Sequence, residues 1–590
     1  MILLAKLRSA KTIHHLAAIL GFKASALAYI LYGKGGASNY KKFDIPKRYG
    51  GARHISAPMP ELKLLQSRLS DVLQNCLAEI NEAAGRSDKI FDRVNSRADR
   101  ISHGFRRHRS IITNAREHRN RKFVLNVDLK DFFGSINFGR VRGYFIKDKK
   151  FLLSPEIATM IAQIACYENT LPQGSPCSPI LSNLIGHVLD VHLVGLAAKK
   201  GCVYSRYADD LTFSTSKPVF PSSIASSDPT NEHLWLPGKE LVRLVEKSGF
   251  EINPSKTRMQ YRNSRQEVTG LIVNKKVNVR SEYRNTVRAM VHHLFTTGTF
   301  EILQRVSDGK GGVTISQVPG KVNQLHGMLG FIDGVDLYNK KLIGVAKGAS
   351  NLPSKETMYR RFLLYKEFYA TTSPVIVCEG KTDNIYILHA IRSLAATYPK
   401  LATTNADGTI KLNVRIFKYS GTSTGRILKM HGGTGDLGNF MLDYRTECAR
   451  FKAPGQQSPV IFLVDNDSGA SSIYNIVKQI TKKKVTGTEP FVHVTGNLYL
   501  CATPLIAGAT ESMIEDFFDS ATKAITIGGK TFDPDLDDET AKHYGKVVFA
   551  HKVIRANANK IDFKEFNPIL SNIVAAIDAH SEKVVSAGVP

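Results

Sequence analysis

The sequence predicts two parts: an α+β domain, followed by an α/β domain built on a parallel sheet. Three observations predict this fold class. A chain of 590 residues is too long for one hydrophobic core. Residues 123 to 275 mix apolar strands with helices. Beyond Thr371-Thr-Ser-Pro374 the pattern changes to strand-helix-strand-helix alternation, which is typical of a parallel sheet covered by helices.

The charge of the chain indicates a polyanionic partner. Lys and Arg number 80 against 52 Asp and Glu, a net charge of +28, and nucleic acid is the leading candidate. A membrane surface is the alternative, but we find no secretory leader and no uninterrupted apolar span of about 18 residues, so no membrane partner is expected. The seven cysteines include no Cys-x-x-Cys pair and indicate a reducing cytoplasm rather than a zinc knuckle or a disulfide framework.

The tetrapeptide Tyr207-Ala-Asp209-Asp210 predicts a hairpin with two adjacent carboxylates at its tip, because it lies between two short strand-like runs. Asn126-Val-Asp128-Leu129 ends another apolar run and offers a third carboxylate. Three acids on strand ends suit two Mg²⁺ ions that activate a hydroxyl and stabilise a leaving pyrophosphate. Taken alone, the tetrapeptide is also compatible with a solvated Asp-Asp turn.

Five motifs in order resemble those of the reverse transcriptases, over about residues 40 to 280. They are Arg53-His-Ile-Ser-Ala-Pro58, Asp128-Leu-Lys-Asp-Phe-Phe133, Leu171-Pro-Gln-Gly174-Ser-Pro176, Tyr207-Ala-Asp-Asp210 and Gly249-Phe-Glu-Ile-Asn-Pro-Ser-Lys256. The resemblance implies a right-hand polymerase, with fingers and palm over residues 1–275 and the thumb and a linker over 276–372.

The resemblance also implies roles for single residues. Asp128, Asp209 and Asp210 would be catalytic and would hold Mg²⁺ together with the Leu129 carbonyl. Phe133 would be the gate that excludes a ribose 2′-OH, although core packing is its alternative, and Gly174 would leave room for the incoming base and template. Lys256 would lie near the triphosphate and could protonate the leaving group. The nucleotide site would comprise Arg53, Phe133, Gln173, Gly174, Tyr207 and Lys256.

Two further motifs are typical of retron reverse transcriptases and are expected to contact RNA. They are Asn114-Ala-Arg-Glu-His118, just before the first acid, and Val268-Thr269-Gly270, just after the lysine motif. The retron resemblance implies an enzyme that copies its own structured non-coding RNA from dNTPs, primed by a guanosine 2′-OH, into branched DNA (msDNA). A group II intron-like or other stand-alone reverse transcriptase with an accessory domain is the alternative.

A second acidic site is predicted on the parallel sheet. Val375-Ile-Val-Cys-Glu379-Gly380 and Val460-Ile-Phe-Leu-Val-Asp465-Asn-Asp467 place acids where strands end. Active sites of open α/β sheets collect at that edge, and three carboxylates there suit a cation. The alternative is that these acids cap the helices that follow.

These motifs resemble the Toprim (topoisomerase-primase) fold over residues 373–520, with 521–590 as its C-terminal extension. Nucleases similar to the overcoming-lysogenization-defect family fit better than primases or topoisomerases. The resemblance implies Glu379, Asp465 and Asp467 as catalytic Mg²⁺ ligands and Glu515 as an additional ligand, with a helix N-terminal acid as the alternative for Glu515. Lys546 would be the basic residue of that family.

The resemblances together predict a bacterial, cytoplasmic RNA-directed DNA polymerase fused to a Mg²⁺-dependent effector nuclease in antiphage defence. The RNA-DNA product would restrain the nuclease. The expected partners are the cognate non-coding RNA, its msDNA, dNTPs and the nuclease's nucleic-acid target; a homo-oligomer is left open. The alternative function is a reverse transcriptase with a silent Toprim domain that only binds or masks nucleic acid.

Overall fold

The computed structural model divides the chain into two compact units, which are described separately. The first unit comprises residues 1–284, 303–316 and 334–345, and the second comprises 285–302, 317–333 and 346–590. The residues that the structure describes are 2–33, 39–46, 51–85, 101–231, 234–307, 313–343, 354–536 and 539–586.

The first part of the chain contains helices and a central antiparallel sheet. Its helices are α1 (Ile2–Ser9), α2 (Ile13–Leu20), α3 (Ala24–Ala28), α4 (Pro60–Ala83), α5 (Ile111–Glu117), α6 (Phe138–Lys147), α7 (Pro155–Ala165), α8 (Ser178–Lys200) and α9 (Lys239–Lys247). Its strands are β1 (Tyr40–Pro46), β2 (Ala52–Pro58), β3 (Phe123–Leu129), β4 (Val203–Tyr207), β5 (Asp210–Thr215), β6 (Ala225–Ser227), β7 (Trp235–Pro237), β8 (Ile252–Tyr261), β9 (Glu267–Val268) and β10 (Leu271–Ile272).

The central sheet has the strand order β4-β5-β3-β8, with all pairs antiparallel. The strand β3 is apolar and lies inside the sheet, and Asp128 near its end is directly opposite Asp210 of β5. A two-residue turn joins β4 to β5, and Ala208 in this turn has φ 56°. A positive φ at a turn residue matches the right-handed twist of hairpin strands. The sheet therefore sets the hairpin tip beside the end of β3.

The helix α8 is long and apolar enough to cross a membrane by length and composition, with a mean hydropathy of 1.5. Among the described residues, the bent pair formed by α2 and residues 24–33 passes the same test only as one span. The residues of α8 were not predicted as an apolar span, because His187 and Asp190 interrupt the run. In the structure 67% of its apolar window is buried, which is usual for a core helix.

The rest of the chain begins with a helix and a two-stranded sheet and ends in an α/β domain. Its helices are α10 (Ser281–Thr297), α11 (Val322–Ile343), α12 (Ser354–Leu364), α13 (Asp383–Ser393), α14 (Ser423–Leu428), α15 (Thr434–Cys448), α16 (Ala470–Thr481), α17 (Ser520–Lys523), α18 (Lys546–Val548) and α19 (Asn567–Ser586). Its strands are β11 (Glu301–Ser307), β12 (Val313–Pro319), β13 (Val375–Cys378), β14 (Ala402–Thr404), β15 (Ile410–Leu412), β16 (Arg415–Ile416), β17 (Val460–Val464), β18 (Val492–Thr495), β19 (Leu498–Ala502), β20 (Thr531–Phe532) and β21 (His543–Tyr544).

The second unit is built on a five-stranded sheet with the order β16-β13-β17-β19-β18. The first four of these strands pair in parallel and β18 is antiparallel. The strand β17 is buried along its whole length, as expected for a strand covered on both faces. The C-terminal helix α19 packs in the same core: Ile569, Leu570 and Ile573 are buried with Ile376 and Ile461 of the sheet.

The helix α12 is attached to the α/β domain, although the sequence placed a boundary at Thr371–Pro374. The Arg361 guanidinium binds the Glu447 carboxylate of α15, with Nε–Oε2 at 2.7 Å. The π-helical segment Tyr365–Tyr369 follows α12, and the Tyr369 ring packs 4.8 Å from Phe451 between centroids. The residues predicted as thumb are therefore divided between the two units.

Candidate active sites

The first site is formed by the β4–β5 hairpin tip and the end of β3. Asp128 and Asp210 are direct cross-strand partners, and the Leu129 N–H donates to the Asp209 carbonyl oxygen at 3.0 Å. Directly opposite residues of an antiparallel pair have Cα atoms about 4.5–5.5 Å apart. The structure thus brings together the three carboxylates and the Leu129 backbone that the sequence grouped.

Burial and mutual repulsion shape the electrostatics of this site. Burial and then the charge of Asp128 raise the pKa of the Asp209 carboxyl, and the Lys256 and Arg53 cations act in the opposite direction. The surrounding protein and then the charges of Asp209 and Asp128 raise the pKa of Asp210 to about 7, although this side chain keeps access to solvent. Additional positive charge would stabilise this cluster in its ionised form.

One cation already lies on these acids. The Lys256 ammonium is 3.0 Å from both carboxylate oxygens of the buried Asp128. Among the residues that the structure describes, no three His, Cys, Asp or Glu side chains already stand as a metal-binding cluster. The donor set nevertheless fits Mg²⁺, which prefers carboxylate oxygens, since the negative charge of Asp128 acts on both hairpin acids. Asp128, Asp209 and Asp210 are the side chains that would hold it.

The other predicted nucleotide-site residues are distributed around this cluster. Arg53 is exposed on β2 and close enough to influence the pKa of Asp209. Tyr207 lies at the end of β4, where burial and the Asp210 charge raise its pKa. Phe133 is half-buried and packs against Phe132 and Phe105, with ring centroids 5.6 and 6.0 Å away. The contacts with these two rings partly explain why position 133 holds an aromatic residue.

Gly174 contacts protein backbone rather than open space. Its φ is 122°, and a Cβ atom there would be 2.8 Å from the Ser56 carbonyl oxygen of β2. The neighbouring Gln173 carbonyl oxygen accepts the Ser56 N–H at 2.8 Å. The sequence predicted that this glycine makes room for base and template; the structure shows that it makes room for the β1–β2 hairpin, which it docks onto the rest of the unit.

Three of the five residues predicted to contact RNA are buried, which corrects their assignment. Asn114 and His118 have no exposed surface. The His118 ring bonds the hydroxyl oxygens of Ser214 and Ser205 at 2.8 and 2.7 Å, and the Ser205 hydroxyl donates to Asn114 Oδ1 at 2.5 Å. A side chain without exposed surface does not reach a ligand, so this motif fixes α5 to β4 and β5. Val268 is likewise fully buried.

Thr269 and Gly270 remain accessible, on a cavity that begins at the acids. The cavity has a volume of about 690 Å³, and its lining includes Asp128, Asp210, Arg258, Thr269 and Arg280. Within the described part of the chain, the buried Arg280 Nε has no hydrogen-bond partner. Arg258 and Arg280 were not predicted as site residues, since their only signal in the sequence is positive charge near the lysine motif.

The second site lies at the carboxyl edge of the parallel sheet. Glu379 follows β13 and Asp465 follows β17, and the Asp465 N–H donates to Glu379 Oε2 at 3.4 Å. The Ile514 N–H donates to Asp465 Oδ1 at 2.9 Å, which brings the segment carrying Glu515 to the same edge. Asp467 Oδ1 accepts the Ala470 N–H at 3.2 Å. Asp467 therefore also caps the start of α16.

The carboxyl groups of the second site are largely shielded from solvent. Burial first, and then neighbouring carboxylates, raise the pKa of Asp465 to about 8 and that of Glu379 to about 7. Glu515 is 2% exposed, and among the described residues its Oε1 atom has no hydrogen-bond partner. An orphaned carboxylate oxygen among ionisable acids fits a divalent cation. Glu379, Asp465, Asp467 and Glu515 would hold it.

Two more residues belong to this edge. Asp383, which was not predicted as a site residue, is buried in the first turn of α13 and accepts the Gly380 N–H at 2.7 Å. Its signal was visible: an acid four residues after Glu379, across the strand-to-helix junction. Lys546 does reach the site, with its ammonium 3.3 Å from Glu515 Oε2. Burial lowers the pKa of Lys546, but the Glu515 and Asp465 charges outweigh it and raise that pKa.

Comparison with known proteins defines the class of the first unit. The family model "Reverse transcriptase (RNA-dependent DNA polymerase)" matches residues 45–274, which include every first-site residue described above except Arg280. Among solved structures, telomerase from Candida albicans in complex with a telomeric RNA fragment is similar at a TM-score of 0.30 and 11% identity, covering 56% of this chain and 64% of that one. A similarity this low carries no argument.

Curated relatives give the family. The chain is 35% identical over 251 residues to the retron Ec86 reverse transcriptase of Escherichia coli, covering 42% of this chain and 68% of that protein. It is 33% identical over 335 residues to the retron Mx162 reverse transcriptase of Myxococcus xanthus, covering 53% of this chain and 62% of that protein. The chain belongs to the retron reverse transcriptases.

Proposed function

We propose that the chain is an RNA-directed DNA polymerase that copies a cognate retron RNA from dNTPs, beginning at a guanosine 2′-OH, into msDNA. The observation that carries this proposal is Asp128 opposite Asp210 in the central sheet, with Asp209 at the same hairpin tip. Bound Mg²⁺ would supply charge stabilisation and a more acidic attacking hydroxyl. Around it, Arg53 would orient the triphosphate and Lys256 would hand a proton to the pyrophosphate oxygen that leaves.

Lys256 has a second role in this proposal. Its ammonium bonds both carboxylate oxygens of Asp128, which places this positive charge directly beside the acids that would hold Mg²⁺. The same charge would also attract the incoming triphosphate toward these acids.

Sequencing the nucleic acid that copurifies with the protein tests the polymerase proposal. We expect DNA joined to RNA through a 2′–5′ linkage, and RNA alone with the Asp210→Asn variant. The matched control is Asp228→Asn, since Asp228 follows the short strand β6 and its carboxylate accepts the N–H of Thr230, two residues further on. It should retain the branched DNA. RNA–DNA product from Asp210→Asn in the wild-type amount would contradict the proposal.

For the second unit we propose a Toprim-like, Mg²⁺-dependent nuclease that the RNA-DNA product restrains, in defence against phage. It is supported by the acids gathered at one sheet edge, the orphaned Glu515 oxygen and the nearby Lys546. Glu379→Ala should abolish toxicity in cells that lose the product and leave the branched DNA intact. Asp407→Ala, on the exposed β14–β15 turn, is the control and should stay toxic. Persistent toxicity of Glu379→Ala would refute the nuclease.

A silent domain that only binds or masks nucleic acid is the second candidate. One contact favours it: the Asp467 carboxylate already accepts the Ala470 N–H at the start of α16. Incubating the protein, stripped of its nucleic acid, with DNA and RNA in Mg²⁺ separates the two candidates. Cleavage that Asp465→Asn removes supports the nuclease, and binding without cleavage supports the silent domain.

A further inference from the structure

An arginine with no exposed surface lies directly beneath the first-site hairpin. Arg206 is the residue before Tyr207, and its side chain is 0% exposed. Its Nε donates to Asp190 Oδ1 at 2.8 Å and its Nη2 donates to Asp190 Oδ2 at 2.7 Å. Asp190 belongs to α8 and is 1% exposed. Arg206 and Asp190 therefore form a bidentate ion pair that is fully buried inside the first unit.

The same guanidinium also holds the hairpin tip. Its Nη1 donates to the Ala208 carbonyl oxygen at 3.1 Å, and Ala208 is the turn residue with positive φ. Its Nη2 donates in addition to Asn183 Oδ1 at 3.1 Å. Arg206 thus links the turn that carries Asp209 to the rigid helix α8.

The neighbouring backbone leaves the turn little freedom. The Arg206 N–H donates to the Ile101 carbonyl oxygen at 2.7 Å, and the His103 N–H donates to the Arg206 carbonyl oxygen at 2.9 Å. A Cβ atom on Gly104 would be 2.5 Å from the Ala208 nitrogen, and one on Gly186 would be 3.0 Å from the guanidinium. Glycines at these two positions let α8 and residues 101–104 close on the hairpin.

Stability alone does not explain such a pair. Replacing a buried ion pair by apolar side chains of similar volume is often neutral or stabilising, and in some proteins buried charges instead specify a particular geometry. A planar guanidinium with three fixed directions can bind Asp190 and Ala208 at once, and a lysine ammonium cannot reproduce this geometry. Groups that orient metal ligands typically change metal affinity by 10- to 100-fold when they are removed.

We propose that Arg206 and Asp190 are positioning residues that set the affinity of the hairpin carboxylates for divalent ions. This inference rests on the proposed polymerase function, since it assigns the same acids to the ion. Arg206 and Asp190 do not touch nucleotide or metal; they act through Ala208 on Asp209 and Asp210.

Binding of Mn²⁺ to the full chain, measured from the electron paramagnetic resonance signal of free Mn²⁺, tests the inference without requiring activity. The part of the Mn²⁺ binding that the Asp128→Asn substitution abolishes is assigned to the first site. Arg206→Lys and Asp190→Asn should weaken that binding about tenfold. The double variant Arg206→Met with Asp190→Leu removes both charges together, so that no buried charge is left unpaired, and it should weaken the binding as much; thermal unfolding checks that it is folded.

The matched control is Arg140→Lys, because Arg140 also bonds backbone carbonyl oxygens, those of Ser248 and Gly249, but not the hairpin. Its Mn²⁺ affinity should equal that of the wild type. In primer extension, the metal concentration for half-maximal rate should rise about tenfold in the Arg206 variants, with an unchanged KM for dNTP.

The outcomes are distinguishable. A folded double variant that binds Mn²⁺ as tightly as the wild type would overturn the positioning role while leaving the polymerase proposal intact. If Asp128→Asn removed neither Mn²⁺ binding nor DNA synthesis, the polymerase site itself would be wrong, and the positioning role would be refuted with it.

Discussion

The dependence of stability on pH tests whether His118 is a structural residue of the first unit. Burial, followed by the charges of His103 and Arg121, lowers the pKa of His118 from 6.5 to about 3. The folded state therefore keeps this ring neutral, and the unfolded chain protonates it below pH 6.5. The contribution of the neutral His118 ring to the free energy of unfolding is present above pH 6.5 and is lost progressively as the pH falls toward 3. At pH 5.5 the loss is about 1.4 kcal/mol, against almost nothing at pH 7.5.

The measurement is urea unfolding of the wild type and of His118→Gln at both pH values. Fluorescence of Trp235, the single tryptophan of the chain, reports on the first unit. The free energy of unfolding of the variant should fall by about 1.4 kcal/mol less between pH 7.5 and 5.5 than that of the wild type. His14→Gln, at an exposed position of α2, should behave as the wild type. Equal pH dependence in His118→Gln and the wild type would refute the buried, neutral imidazole.

Three other predictions concern single side chains. Lys546→Met should destabilise the second unit by about 3 kcal/mol, because it leaves the buried Glu515 without its cation. The control Lys564→Met, at an exposed position, should change the free energy of unfolding by less than about 0.5 kcal/mol, and thermal unfolding of the two variants measures the difference. Because the pKa of Asp465 is raised from 3.8 to about 8, the metal-free protein should lose stability as the pH rises between these values. Added Mg²⁺ should reverse this loss, and the melting temperature in EDTA and in Mg²⁺ across this pH range measures both effects. Phe133→Ala should raise ribonucleotide incorporation relative to dNTP by about tenfold or more in primer extension, and unchanged discrimination would leave Phe133 a packing residue.

Local pattern was sufficient for the geometry of the first site. Strand-like runs on both sides of Tyr207–Asp210 predict a hairpin, and an apolar run that ends at Leu129 predicts a buried strand. Antiparallel pairing then places Asp128 opposite Asp210. The acids of the parallel sheet were predictable for the same reason, since parallel strands end at a common edge.

Interactions distant in the sequence were not predictable. The partners of His118 are serines 87 and 96 residues away, and nothing local indicates that this ring is buried. The partner of Arg206 lies on another element, so no local pattern distinguishes this arginine from the other basic residues. The division of residues 276–372 between two units depends on contacts such as Arg361 with Glu447, which only the folded chain defines.

The central claim is that Asp128, Asp209 and Asp210 act together on a nucleotide through divalent ions. Single-turnover primer extension on the cognate RNA, with wild type and Asp209→Asn compared across a Mg²⁺ titration, tests it most directly. The account predicts a rate at least about 10³-fold lower that no Mg²⁺ concentration restores, since several kcal/mol of charge stabilisation depend on that carboxylate. DNA synthesis by folded Asp209→Asn at the wild-type rate would contradict it.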